Sequence, residues 1–327
     1  MKKNIAILMG GYSSEFDISI KSGNNVFKHI DRTKYNPYRI FITKEKWYYV
    51  NESEEKVMVD KNDFSVLING NKVHFDAAFN IVHGSPGEDG LLQAYFKLLA
   101  IPQTACNFYQ AALTFNKRDC ISALKPYGIV TAKNYFLNKG DAIHENEIIE
   151  RVGLPCFVKA NKSGSSYGIS KVKTKEELQP AIALAYKEDD EIIIESFLDG
   201  TEVSVGVITY QGKDLVLPIT EIVSENEFFD YEAKYLGKSQ EITPARISKQ
   251  DEENVKQLAL KIYKTLKMSG FSRSEFIFHK GEPHFIEMNT NPGFTEASIL
   301  PQQAAVLGIS IQELITNSIE EAISKEA

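Results

Sequence analysis

The chain is 327 residues long, 43% hydrophobic and 25% charged. That soluble globular balance excludes disordered, collagen-like and coiled-coil chains and suits two or three domains. Lys and Arg number 37 against 44 Asp and Glu, a net charge of −7, whereas proteins that neutralise nucleic-acid phosphates are usually basic, so no nucleic-acid partner is expected.

The first element in chain order is the apolar run 5–9, continuous as in a strand buried on both faces. It follows a charged start, Met1-Lys2-Lys3, but is too short for the core of a secretory signal and ends in Gly10-Gly11. No later stretch approaches the ~20 apolar residues of a membrane span, so no membrane partner is expected. Cys106, Cys120 and Cys156 are odd in number and lack CxxC spacing. They read as reduced thiols, and a cytoplasmic protein is expected.

A helical pattern with Phe16, Ile20 and Phe27 comes next, then strands over 39–43 and 77–82 and a packed helix over 91–99. This is an open α/β layout. Its loops at 10–15 and 83–90 both follow strands, at the edge where open α/β sheets bind ligands. Strands at 157–159 and 168–173 flank a loop over 160–167; Thr174 and Glu177 form a capping-box pattern for a helix that contains Pro180, and 191–197 reads as a strand. The last third is mostly antiparallel. Strands at 203–210 and 215–222 flank the turn 211–214. Ser248 and Asp251 open a helix with Val255, Leu258, Ile262 and Leu266 on one face and Gly270 at its end. A second hairpin joins 274–279 to 284–289 around Gly281.

Three segments carry chemistry. Gly164, Gly168 and the serines between Lys159 and Gly168 can present N–H groups and hydroxyls to anionic oxygens, with the Lys159 ammonium on the preceding strand. The segment is neither a Walker A loop nor a dinucleotide fingerprint; the alternative is an exposed hairpin. In the second hairpin, a three-residue turn centred on Gly281 sets Glu275 opposite Glu287, with Asn289 on the face of Glu287. Two carboxylates and an amide oxygen suit Mg2+, and like charges facing each other are unfavourable without a cation; the alternative is two solvated glutamates. Third, Asn291-Pro292-Gly293 leads to Ser298 and Ile299, where a new helix could meet a carboxylate or simply follow an ordinary turn. Of the six histidines only His83 belongs to a recognisable constellation.

GGYSSE at 10–15, HGSPGEDGLLQ at 83–93, KANKSGSSYG at 159–168, YEAKY at 231–235 and EMNTNPG at 287–293 occur in this order. In order and spacing, over nearly the whole chain, the sequence resembles the D-alanine–D-alanine ligases of the ATP-grasp superfamily. The resemblance implies α/β and α+β architecture: an N-terminal α/β domain at 1–105 with the first D-alanine site, a central ATP-grasp domain at 106–195, and a C-terminal ATP-grasp domain at 196–327 with the metal and acceptor sites. It implies ATP-dependent ligation of two D-alanines through a D-alanyl phosphate, for peptidoglycan synthesis, by a homodimer using two Mg2+ or Mn2+ ions.

Residue by residue, Lys117, Lys159 and the loop residue Lys234 match the ATP-binding lysines. Glu195 with Phe197 and Leu198 match the adenine site, and Glu202 the ribose site. Glu275, Glu287 and Asn289 match the metal ligands. Glu15 and His83 match the first substrate's site, and Ser165 and Tyr235 are linked to Glu15. Arg273 and Gly293 match the groups that polarise the acyl carbonyl, and Ser298 and Ile299 the cradle of the second carboxylate. By this match Lys159 matters to ATP and not to folding. The chain departs from the usual pattern at Glu275, where Asp is common, and at Ser274, Met288 and Ser196. Rivals are a sister ligase with D-serine or D-lactate as acceptor, which Tyr235 disfavours for D-lactate, an ATP-grasp ligase acting on another acid, disfavoured by Glu88-Asp89-Gly90, and a catalytically silent nucleotide-binding regulator, which would be expected to lose a lysine, a metal ligand or the arginine.

Overall fold

The computed structural model describes residues 1–51, 53–164, 167–224 and 239–326. The first sheet comprises β1 (Lys3–Gly10), β2 (Tyr35–Ile42), β3 (Trp47–Val50), β4 (Lys56–Asp60), β5 (Ser65–Ile68), β6 (Asn71–Val73) and β7 (Ala77–Asn80), in the order β6-β5-β4-β3-β2-β1-β7. β1 runs parallel to both neighbours, β2 and β7, which is why its run Ile5–Met9 is apolar throughout and wholly buried. β2 starts earlier than its apolar pattern and contains Pro37. β3 pairs only with residues from Arg39 onward, so Pro37 lies where the strand has one partner, the kind of edge position that tolerates a missing N–H. Helix α1 (Phe16–His29) connects β1 to β2, and α2 (Leu91–Leu98) follows β7.

Helices α3 (Phe108–Phe115) and α4 (Lys117–Leu124) lead into β8 (Asn134–Asn138), α5 (Glu145–Val152), β9 (Cys156–Ala160), β10 (Ser170–Val172), α6 (Leu178–Ala185) and β11 (Glu191–Ser196). The four strands form an antiparallel sheet, β10-β9-β11-β8. Ile148, Leu178 and Ile182 cover one face by packing on Val158, Ile192 and Ile194. Side chains alternate along a strand, so the opposite face carries Phe157, Lys159 and Glu195. Thr174 and Glu177 do form a reciprocal cap, on a 3-10 turn that runs into α6. Pro180 is therefore the third residue of the α-helical part, within the first turn, where a missing N–H breaks no intrahelical bond.

The third sheet comprises β12 (Gly200–Tyr210), β13 (Lys213–Val216), β14 (Thr220–Ser224), β15 (Ser239–Ile242), β16 (Phe271–His279) and β17 (Glu282–Asn289), ordered β15-β14-β12-β16-β17 with β13 also on β12. The strand expected over 215–222 is two strands. Pro218 separates them, and β13 and β14 pair with successive parts of β12. Helix α7 (Lys249–Thr265), capped by Ser248 through the Asp251 N–H, buries Val255 and Ile262 against Val203, Val205 and Phe276. It stops before Gly270: Lys267 takes the left-handed turn at φ 53°, and Gly270 instead lets the chain pass close to the Thr104 carbonyl. Helices α8 (Ile299–Val306) and α9 (Ile311–Glu326) complete the fold. Leu314, Ile315 and Ile319 of α9 pack on Ile5, Ile7 and Phe79 of the first sheet.

Glu275 does face Glu287, for a reason different from the one expected. The turn is only two residues, Lys280-Gly281, both at positive φ (53° and 81°), as a tight type I′ hairpin requires. That turn alone would offset the pairing by one. A bulge between Glu275 and Phe276 restores it.

Candidate active site

Sheet register assembles most of the site. Glu202 pairs with Ile277, Ser204 with Glu275 and Gly206 with Arg273 across β12 and β16; Glu275 pairs with Glu287 and Arg273 with Asn289 across β16 and β17. Paired residues share a face, so Glu202, Arg273, Glu275, Glu287 and Asn289 project from one face of the third sheet, while Val203, Val205 and Phe276 project into the core.

That face meets the polar face of the central sheet across an open slot. Phe157, Lys159, Glu195 and Leu198 line one side, and Glu202 and Glu275 the other. The Lys159 Nζ lies 2.7 Å from Glu195 Oε2, both side chains nearly buried. Burial opposes the charge on Lys159, but Glu195, then Glu287 and Glu202, more than offset it and raise its pKa. Phe197 stacks obliquely beside Phe157, 6.1 Å between centroids, and its N–H donates to the Pro155 carbonyl.

Lys117 opens α4. The Arg118 N–H donates to the Asn161 side chain at 2.9 Å, which ties this helix start to the end of β9. The Lys117 ammonium donates to the Ser163 carbonyl at 2.7 Å and pairs with Glu287 at 3.1 Å. Arg273 pairs with Glu275 and donates to Ser204 Oγ at 3.0 Å. The two facing carboxylates are thus each held by a cation of the chain itself.

Lys117 and Glu287 also line a second, adjoining cavity, between the first and third sheets, with Glu15, His83, Arg273 and Gly293 in its walls. Glu15 is buried and sits against the central loop: a Cβ on Gly164 would lie 2.5 Å from Glu15 Oε2, so only glycine allows this approach. His83 is buried, with Nε2 3.3 Å from Ser22 Oγ. Burial lowers its pKa despite the nearby Glu15, which keeps the imidazole neutral. Ser298 stands at the N-cap position of α8 but makes no side-chain bond to the helix start; it sits by Gly293, its Oγ accepting from the Thr295 N–H at 3.0 Å. Ile299 is the first residue of that helix. Ser165, Lys234 and Tyr235 lie outside the described residues.

Several neighbours were given no role from the sequence. Glu88 is buried and accepts from the Gly84 N–H at 2.7 Å; burial first, then Glu15, push its carboxyl up to about 8. The amide side chains of Asn80, Gln93 and Asn291 all donate to the Gly87 carbonyl, at 3.0, 2.6 and 2.9 Å. This network ties the 83–90 loop to the turn that carries Gly293. Gln93 and Asn291 stood within recognised motifs and Asn80 only within a strand, and their spacing said nothing of which backbone atom they share. The three cysteines are free and buried, their thiols raised by burial.

The chain matches two family descriptions: D-ala D-ala ligase N-terminus over residues 4–106 and D-ala D-ala ligase C-terminus over residues 121–320. It is 62% identical over 326 residues to a D-alanine–D-alanine ligase of Christiangramia forsetii, covering 100% of both chains. Among solved structures it is similar to a D-Ala:D-Ser ligase from Enterococcus faecalis (31% identity, TM-score 0.85, covering 98% of this chain and 100% of that one). It is also similar to a D-alanine–D-alanine ligase from Bacillus anthracis complexed with ATP (28% identity, TM-score 0.78, covering 99% and 98%).

Proposed function

The chain belongs to the D-alanine–D-alanine ligase family, and from that membership we propose how its residues divide the work of joining two D-alanines at the expense of ATP. A carboxylate is a poor electrophile towards an amine. In the first step an oxygen of the first D-alanine carboxylate attacks the γ-phosphorus of ATP, and ADP leaves with the bridging oxygen. In the second, the amine nitrogen of the second D-alanine attacks the acyl carbon, phosphate leaves, and the nitrogen gives up its proton. The products are D-alanyl-D-alanine, ADP and phosphate, and the dipeptide feeds peptidoglycan synthesis.

The observation that carries this division is the one-face register of Glu202, Arg273, Glu275, Glu287 and Asn289, with Lys117 and Lys159 opposite. Glu195, Phe197 and Leu198 take the adenine and Glu202 the ribose. Lys117 and Lys159, with Lys234, hold the phosphates, exchanging their carboxylate partners for phosphate oxygens. Glu15 orients the ammonium of the first D-alanine beside neutral His83, with Ser165 and Tyr235 linked to it. Arg273 and the Gly293 N–H stabilise the oxyanion of the second step. Ser298 and the Ile299 N–H, at the start of α8, receive the second carboxylate.

Glu275, Glu287 and Asn289 offer two carboxylates and an amide oxygen, a hard set that fits Mg2+ when phosphates and water complete its shell. Among the described residues no cluster of three or more His, Cys, Asp or Glu forms a protein-only metal site, in keeping with ions that arrive with the nucleotide. Bound there, two Mg2+ or Mn2+ ions would neutralise charge on the transferring phosphoryl group. We further propose a cytoplasmic homodimer, with the three segments 1–105, 106–195 and 196–327 supplying the first-substrate, nucleotide, and metal and acceptor sites. Among the described residues no helix is long and apolar enough to cross a membrane.

The test is ADP release with D-alanine, L-alanine, D-serine and D-lactate, alone and in pairs. Turnover with D-alanine alone, giving the dipeptide, is expected; turnover confined to a pair would replace D-alanine as the acceptor.

A further inference from the structure

We propose that Glu241, on β15, is the acidic group that receives the amino group of the acceptor and so selects an amino acid over a hydroxy acid. This inference rests on the ligation reading above and adds a residue to its second half.

Register puts Glu241 in place. Ile222 on β14 pairs with Glu202 on one side and with Glu241 on the other, so all three share the face that carries Arg273 and Glu275. Ile222 also packs on Ile299, the first residue of α8, which turns this part of the face towards the helix start. A cavity opens there, lined by Glu241, Arg273, Gly293, Ser298 and Ile299, with Lys21 of α1 at its exposed rim. Glu241 is half-buried and shares this cavity with Arg273.

The acceptor enters as a zwitterion. Its carboxylate suits the α8 start, so its ammonium requires a negative group elsewhere in the same cavity. Among the cavity's described residues the charged side chains are Lys21, Arg273 and Glu241, and Glu241 is the one acid. A hydroxy acid has the same carboxylate but no positive end. From Glu241 its hydroxyl gains a neutral-donor hydrogen bond and no charge pair. Discrimination of this kind is a difference of affinities, an ion pair for one acceptor against a single neutral-donor hydrogen bond for the other.

The experiment compares the full chain with Glu241→Gln and Glu241→Asp, at fixed pH and saturating ATP, over a D-alanine series that separates the two substrate sites. Product analysis follows with D-alanine plus D-lactate. In Glu241→Gln the KM of the acceptor site is expected to rise about tenfold or more, as for loss of one charge-assisted contact. The KM values of ATP and of the first site should stay within about twofold of the parent, and the ratio of depsipeptide to dipeptide should rise. Glu241→Asp, which keeps the charge, should return the ratio towards the parent's. An unchanged acceptor KM together with an unchanged product ratio in Glu241→Gln overturns the inference while leaving the ligase reading intact. A parent chain that releases no ADP with D-alanine overturns both.

Discussion

Lys159→Ala removes one half of a buried pair. Lys159 and Glu195 lie 2.7 Å apart with side chains 13% and 7% exposed. Breaking a buried pair by deleting one partner costs about 3–5 kcal/mol, because the remaining charge stays desolvated. The slot opens to solvent beside Glu195, so the lower end applies, about 3 kcal/mol. The family match alone casts Lys159 as a nucleotide ligand whose loss spares the fold; the pair implies instead that the variant loses stability as well as turnover. Urea unfolding followed by far-UV circular dichroism measures the loss. Lys159→Ala/Glu195→Gln, which removes the orphaned charge, should recover most of it, and the double-mutant cycle isolates the coupling. A single variant whose unfolding curve superimposes on the parent's would refute the reasoning, because it would mean that Glu195 is solvated well enough to need no partner.

Gly164→Ala places a methyl group 2.5 Å from Glu15 Oε2. The flexible carboxylate yields, so the melting temperature should hold, while displacing Glu15 by about 1 Å should lower kcat/KM for D-alanine on the order of a hundredfold. Ser274 is wholly buried and its hydroxyl has no partner among the described residues; Ser274→Ala should stabilise the chain by about 1 kcal/mol in the same urea assay. A hydrogen bond from Arg246 lowers the pKa of buried Glu221 from its ordinary 4.5. A depressed carboxyl pKa stabilises the fold above the unfolded value and ceases to as pH falls through the folded one. The parent should therefore outlast Glu221→Gln at neutral pH and lose that advantage as pH falls below 4.5, read as the urea midpoint against pH.

Where local pattern decides structure, the sequence was legible. The buried run of β1, the Thr174–Glu177 box and the Ser248 cap all follow from residue type at short spacing. The sequence puts Pro180 inside the helix because the cap's 3-10 turn, which shifts the α-helical start, leaves no mark of its own. The carboxylate pair was also legible, although a longer turn and a tight turn plus a bulge predict the same partners. What stayed hidden depends on which elements meet, which local pattern does not specify. Glu241 became visible only once β14 had paired with both β12 and β15, and Asn291 only once its amide had reached Gly87. The Lys159–Glu195 pair hid for another reason: each residue was expected as a nucleotide ligand, and residue type says nothing of whether two such residues also touch each other.

The packing of α9 on the first sheet bears on how the chain is made. Ile5, Ile7 and Phe79 are covered in part by Leu314, Ile315 and Ile319, and Glu320 is bonded to both Lys3 and Tyr35. At bacterial elongation rates, roughly 15 to 60 s separate the synthesis of β1 from that of α9. Throughout that interval an apolar face of the nascent sheet lacks its final cover. The first hundred residues should therefore be the part of the newborn chain most in need of a chaperone. A stop codon placed before α9 should yield an aggregating product even though every residue in the proposed site has already been made.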